Sequence, residues 1–442
     1  MMKNKIQYSL FISLVFMFSS CMREEQRLFP ESAALRMNHA VDNAKSVLIA
    51  QSDVNGWIME YFPTNATEGY TFLMSFKSNT FVTIAGRNQY MPTYTTDSSA
   101  YEVIGDMGPV LTFDTYNKIF HLFSNPVDPS GGNLGNGLLG DYEFIIMNIS
   151  SGNEITLQGK KRGTAILMHP LAQGQDWKGY FDLLDSMNTT IFNSKIPVML
   201  TLQNSNEGDS IYYLKNGATH IFTAIAQNAT DASAPGNNIP FIITDYGLRF
   251  AQPFAMGVDS VQSFKLSDDK NELVCTDEGK NAKITGPDLV SFYFDTTDAN
   301  NMQWVMLSGP DYMSPAVQTI YNKMTQSFAG LNAPLSQIAF RYATNGGDMI
   351  YITTTKNQYG SLFFDKTQIP EGVQYLFKNT FGAGADNGRA FYNSCAGVAD
   401  LMALFSSAFK IDYANSTSRL IPSYVKLTDV SNPNVWFVLK VQ

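Results

Sequence analysis

A chain of 442 residues is too long for one ordinary compact core and has room for two or three. It is 44% hydrophobic and 13% aromatic but only 16% charged, so its polarity comes mainly from amides and hydroxyls, as in many extracellular β-proteins. The formal charge of −9 disfavours nucleic acid and other polyanions, which need clustered Lys and Arg to displace counterions.

Residues 1–20 have the three parts of an export signal. Lys3 and Lys5 give a positive start, Leu10–Phe18 is apolar, and Ser19 and Ser20 are small. The apolar run is shorter than the ~20 residues of a membrane span. Cys21 follows at once. This ending is similar to a bacterial lipobox, in which the leader is cut before the cysteine and its thiol is joined to lipid. Phe18 stands where an aliphatic residue is usual. Acyl chains contribute about 0.8 kcal/mol per buried CH₂, so several on one residue would anchor the chain durably in outer-membrane lipid. Arg23, Glu24 and Glu25 read either as the acidic signal of surface lipoproteins or as a solvated charged tether. In both readings residues 21–28 are the tether.

Residues 29–172 read as a helix followed by a first β-unit. Pro30 and Glu31 suit a first helical turn. Ala34, Met37, Val41, Ala44 and Leu48 then recur at helical spacing, and the helix ends before Asn55 and Gly56. Beyond Gly56 the chain is a succession of short aromatic or β-branched strands bounded by Asn, Gly, Pro and Ser: residues 57–62, 70–76, 80–84 and 110–113. Residues 141–149 and 154–159 form a hairpin, with Gly152 supplying the positive φ of its turn. Residues 164–168 add a strand.

A second β-unit spans 173–289 and opens on a helix or linker at Trp177. Its order echoes the first: Pro109–Phe120 is mirrored by Pro240–Phe250, and the hairpin at Phe144–Lys160 by Phe264–Lys280. A C-terminal β-rich unit spans 290–442, with a helix capped by Ser314 and led by Pro315, and another at Val398–Phe405. The expected fold is therefore mainly β (α+β): repeated antiparallel β-barrel or sandwich units, an N-terminal helix and a few peripheral helices.

Five features in order carry a family resemblance: Asn55–Met59; Gly69–Phe72 with Ser75 and Phe76; Ser98–Tyr101; Gly108–Tyr116 with His121; and Gly140–Phe144 followed by Leu157–Lys161. With them the first unit resembles DUF4302, a family of Bacteroidetes lipoproteins classed as a domain of unknown function. The resemblance implies an outer-membrane lipoprotein, often encoded beside SusC/SusD-like uptake systems and zinc peptidases. It implies no reaction and no catalytic residues.

The residues themselves offer little chemistry. His39, His121, His169 and His220 show no ligand spacing, and zinc, nucleophile-elbow, phosphate-loop and dinucleotide motifs are not found. No cofactor is expected. His121 reads as a core-edge residue. Asp141 and Glu143, two apart on a strand, would share one face; they would serve as an acid pair or, on the plainer reading, point to water while Tyr142 and Phe144 are buried. The glycine-rich stretch from Asp128 to Gly137 reads as a surface loop without calcium-loop spacing. Cys275 and Cys395 read as buried free thiols or, in an exported chain, as a disulfide. Trp57 is expected in the core, and Tyr90, Tyr94, Tyr116 and Trp177 are the candidate ligand-binding aromatics, with Tyr90 and Tyr94 placed in a polar loop. The expected function is non-catalytic: a surface lipoprotein that binds a glycan or peptide for a SusC/SusD-like uptake complex. The alternatives are a glycan hydrolase using carboxylates and a structural accessory of the envelope.

Overall fold

The computed structural model describes residues 31–442 other than 79, 128, 130–134, 136, 193–198, 206–209, 217–218, 228–235, 296–301, 345–346 and 415–417. Cys21, Arg23, Glu24 and Glu25 lie outside the described residues, as does most of the Asp128–Gly137 stretch. The described chain is three β-units with helices packed around them, all strands antiparallel to their neighbours.

Helix α1, Ala33–Val54, begins later than the sequence suggests, beyond the expected first turn at Pro30 and Glu31. Ser32 is its cap, its side chain accepting from the Leu35 amide at 3.2 Å, so Glu31 precedes the helix rather than opening it, and Pro30 lies outside the described residues. At the other end Gly56 takes φ +102°, a left-handed turn that an L side chain resists. The buried stripe is Ala44, Leu48 and Ser52. Ser52 Oγ donates to the Leu48 carbonyl and accepts from the Phe76 amide, both at 2.7 Å, pinning the helix to the sheet below.

That sheet has nine strands: β1 Trp57–Tyr61, β2 Tyr70–Phe76, β3 Phe81–Asn88, β4 Met91–Ala100, β5 Glu102–Gly105, β6 Pro109–Thr112, β7 Glu143–Ile149, β8 Ile155–Gly159 and β9 Ala165–Pro170. Their spatial order is 4-3-2-1-9-8-7-6-5. β1 is buried along its whole length because both faces are covered. Trp57, Met59 and Tyr61 enter one core with Phe72, Phe120 and Phe144. Ile58 faces the other way, onto Tyr180, Phe181 and Leu184 of α2, Trp177–Ile191.

Two sequence expectations change here. The hairpin between β7 and β8 turns on Asn153, φ +62°, not on Gly152. β7 begins at Glu143, so the expected alternation does not reach Asp141. Asp141 is 5% exposed and Tyr142 is 46% exposed, the reverse of the reading in which the acid points to water.

Two closed barrels follow. The first has β10 Met199–Asn204, β11 Ser210–Asn216, β12 Ile221–Ala226, β13 Asn237–Ile243, β14 Gly247–Met256, β15 Asp259–Leu266, β16 Glu272–Cys275 and β17 Ala282–Thr285, and β17 pairs back onto β10. Closure leaves no unpaired sheet edge. Its hairpin β15–β16 matches β7–β8 closely: Lys270 takes φ +59°, and Ser267 Oγ accepts from the Glu272 amide as Ser150 Oγ accepts from Glu154. The other echo is weaker. Pro240–Phe250 crosses the β13–β14 hairpin, whereas after β6 residues 113–124 are turns and loop.

The second barrel has β18 Trp304–Met306, β19 Leu335–Thr344, β20 Gly347–Thr354, β21 Tyr359–Ile369, β22 Gly372–Phe381, β23 Ala408–Tyr413, β24 Tyr424–Asp429 and β25 Trp436–Val441, closed by β18 with β25. Four helices accompany it: α3 Leu289–Asp295, α4 Pro315–Gly330, α5 Gly388–Ser394 and α6 Val398–Leu404. Ser314 caps α4 and Pro315 leads it, as the sequence suggests. Tyr293 of α3 is fully buried, and its hydroxyl bonds to those of Tyr342 and Tyr375 on the barrel wall. Cys275, on β16 of the first barrel, and Cys395, between α5 and α6 beside the second, are buried free thiols. No helix among the described residues is long and apolar enough to cross a membrane.

Candidate functional site

The first sheet, α2 and the first barrel meet at a buried ion cluster. Glu60, in the middle of the apolar run Trp57–Phe62, points away from the sheet core toward the barrel. Its carboxylate pairs with Arg249 of β14 and lies 3.3 Å from His169 Nε2. Glu60 is 1% exposed and Arg249 7%. Burial pushes the Glu60 carboxyl up, but Arg249 and His169 together hold it below the usual carboxylate range. Beside this cluster Phe62 packs on Ile242 and Ala251, and the Gly69 amide donates to the Phe241 carbonyl at 3.1 Å. Gly69 is required there: a Cβ would sit 2.6 Å from Ile242 Cβ and 2.7 Å from the Phe62 ring.

Next to this junction a cleft of about 320 Å³ opens between sheet, helix and barrel. Ligand sites favour such boundaries. One wall is apolar, made by Phe181 and Leu184 of α2 with Pro92 and Ile242. The other presents hydrogen-bonding groups, Glu68, Gln89, Asn188 and His220. Glu68 organises them. Its Oε1 accepts from Gln89 Nε2 at 2.7 Å and from the Tyr70 hydroxyl at 3.1 Å. Its Oε2 accepts from the His220 amide at 3.2 Å and lies 3.3 Å from His220 Nδ1. His220 Nε2 is 3.1 Å from Asn188 Oδ1. Burial lowers the His220 pKa and Glu68 raises it in part, leaving it below the ordinary histidine value. Arg87 closes one end, its guanidinium fork bridging Asp182 and Asp185 of α2, each at 2.7 Å.

Three of the four aromatics singled out in the sequence surround this cleft, but none forms its wall. Tyr90 sits in the tight β3–β4 turn, its amide donating to Asn88 Oδ1 at 2.9 Å, with its ring 6.2 Å from that of Tyr70. Tyr94 lies on β4, an edge strand rather than a loop, and packs 5.9 Å from Phe181. Trp177 opens α2, and its indole donates to the Asn55 carbonyl at 3.0 Å. They hold Tyr70, Phe181 and the helix start in place. Trp57 is fully buried, as expected.

Tyr116 belongs elsewhere. It is 65% exposed and lies 5.5 Å from the His121 ring, which in turn lies 5.7 Å from Tyr142. His121 Nδ1 accepts from the Asn117 amide at 3.0 Å, and burial lowers its pKa. It thus fills a core-edge position between two surface tyrosines. Of the acid pair, Asp141 Oδ2 accepts from the Arg162 amide at 2.8 Å, and Glu143 lies 3.4 Å from Lys160 Nζ, which also reaches Asp106 at 3.1 Å. Both carboxylates are taken up by these turns. Among the described residues no group of His, Cys, Asp and Glu could hold a metal ion.

Sequence reasoning did not find Glu68, Gln89, Asn188 and His220, because no spacing links residues up to 152 positions apart. The available signal was Glu60, a carboxylate inside an aromatic run.

Among solved structures, a beta sliding clamp of C. crescentus is 8% identical over 91% of this chain and 96% of that chain. Its TM-score of 0.12 is too low to say anything of fold or function. No curated protein matches this chain. The family described as "Domain of unknown function (DUF4302)" matches residues 25–268, more than half of the chain, and to that family the protein belongs.

Proposed function

We propose that this protein is a non-catalytic binding component of a nutrient uptake system, exported, lipid-anchored at Cys21 and displayed on the outer face of the outer membrane. The observation that carries the reading is the cleft between the first sheet, α2 and the first barrel. It joins an apolar wall to a row of amide and carboxylate groups oriented by one another. That combination suits an uncharged polar ligand such as a glycan or a peptide, with ring or side-chain faces on Phe181 and hydroxyls or amides on Gln89 and Asn188. Its titratable groups are engaged in pairs, and among the described residues the His220 ring bonds to Glu68 and Asn188 rather than to a hydroxyl or thiol, which favours capture over hydrolysis. A SusC/SusD-like complex is the partner this reading assigns, through the family resemblance.

The test is binding of the full-length chain, in mild detergent, to an array of neutral oligosaccharides and short peptides. Gln89→Leu and Asn188→Leu should each weaken the ligands retained by the wild type about tenfold, the effect of losing one well-made hydrogen bond with its partner left unpaired. Retention by both variants at wild-type strength would remove the cleft from consideration. The address has its own test. Labelled palmitate should enter the wild type and not Cys21→Ser, and protease added to whole cells should degrade the wild-type chain. Label in the serine variant, or a chain that protease cannot reach, would contradict it.

A further inference from the structure

A second concavity, of about 410 Å³, lies on the outer face of the second barrel, in the part of the chain beyond the family match. The strand pleat makes it. On β24, Val425 and Leu427 face the barrel core, so Tyr424 and Lys426 face out; on β25, Phe437 and Leu439 face in, so Trp436 and Val438 face out. The segment leading into α4 forms the rim. It is held to β25 by the Val438 amide donating to the Tyr312 carbonyl at 2.7 Å and the Ser314 amide donating to the Trp436 carbonyl at 2.9 Å. That rim places Asp311 and the 41% exposed Tyr312 beside the two strands. Three aromatic side chains thus stand around one opening on a rigid scaffold.

The charges decide what it fits. Lys426 Nζ lies 4.4 Å from the centre of the Trp436 ring and makes no ion pair within 4 Å among the described residues. Its ammonium is held by an aromatic face, and the carboxylate opposite it across the strands, Asp412, is taken by Lys410 at 3.1 Å. Asp311 supplies an acceptor at the rim. A purely apolar ligand would desolvate both groups without return, and a neutral sugar would leave Lys426 unused. A polyanion needs a run of cations, and here Lys426 lines the opening with one more, Lys440, beyond it over the Tyr424 ring at 5.6 Å.

We propose that this concavity binds a pyranose carrying a single carboxylate, a hexuronic acid residue of an acidic glycan. The sugar ring lies against the exposed aromatic faces, its carboxylate pairs with Lys426, and a hydroxyl donates to Asp311. The site is separate from the interdomain cleft and stands whether or not that cleft binds anything.

The experiment is calorimetric titration of the full-length chain, in mild detergent, with xylotriose and with xylotriose capped by glucuronic acid. The acidic sugar should bind at least about tenfold tighter, the effect of one charge-assisted hydrogen bond. Lys426→Gln, on the barrel surface, should abolish that difference, and Tyr312→Ala should weaken the acidic sugar while leaving the thermal midpoint near that of the wild type. Equal affinity for the two sugars, binding of neither, or an unchanged preference in Lys426→Gln would overturn the proposal.

Discussion

Arg249→Met is expected to destabilise the protein by about 3–5 kcal/mol, because it strands a buried carboxylate. Glu60 is 1% exposed, and with the guanidinium gone the His169 imidazole, 3.3 Å away, is the polar neighbour left to its carboxylate. The pair is costly to break but not costly to replace. The double variant Glu60→Leu with Arg249→Met should recover most of the loss, since apolar side chains of similar volume fill such sites well. Chemical denaturation of the wild type and the two variants measures this; an Arg249→Met chain as stable as the wild type would show that the cluster contributes nothing. The pH dependence has a definite sign. The Glu60 pKa is depressed in the folded state, so its contribution is fully present above the unfolded carboxylate value of about 4.3 and is lost as pH falls through the lower folded value. Acid should therefore loosen the junction between sheet and barrel, and the double variant should lack that part of the acid sensitivity.

Gly286→Ala is the second large effect, at the junction of the two barrels. A Cβ there would be driven into the Arg419 carbonyl, with Leu420 Cα at 3.1 Å behind it. These are backbone atoms, and no side chain can rotate away. The same junction is tied by Ser418 Oγ donating to the Lys270 carbonyl at 2.8 Å and the Arg419 amide donating to Asn271 Oδ1 at 3.2 Å. A methyl group should force the barrels apart at a cost of about 1–3 kcal/mol, the usual range for overpacking. Gly330→Ala, where a Cβ meets nothing within 4 Å, is the control and should be near neutral. Equal melting curves for the two variants would show that the barrels do not meet as described.

The strands were legible where burial is one-sided or complete. Trp57–Tyr61 and Tyr70–Phe76 announce themselves by aromatic and β-branched content, and Ser314 and Pro315 mark α4 by capping chemistry. β4 was not legible, because Met91–Ala100 is an edge strand of Thr, Ser and Asp, with one buried position among its ten residues. Barrel closure was not legible either: the pairings of β10 with β17 and of β18 with β25 join strands far apart in sequence. Asp141 was misplaced because a strand that starts two residues later puts a neighbouring acid under a turn, and the sequence alone does not locate that start. The cleft was hidden for the same reason as the closure. Glu68, Gln89, Asn188 and His220 come from four separate segments and meet when sheet, helix and barrel pack. The aromatics around them were visible, but their work is to position that wall rather than to form it.

The most direct measurement is amide hydrogen exchange of the full-length chain with and without the array's strongest binder. Slower exchange at residues 87–89, along 181–188 and around His220 is the expected result. Unchanged exchange at all three, with protection appearing elsewhere, would mean that the space between sheet, helix and barrel is not where this protein holds its ligand.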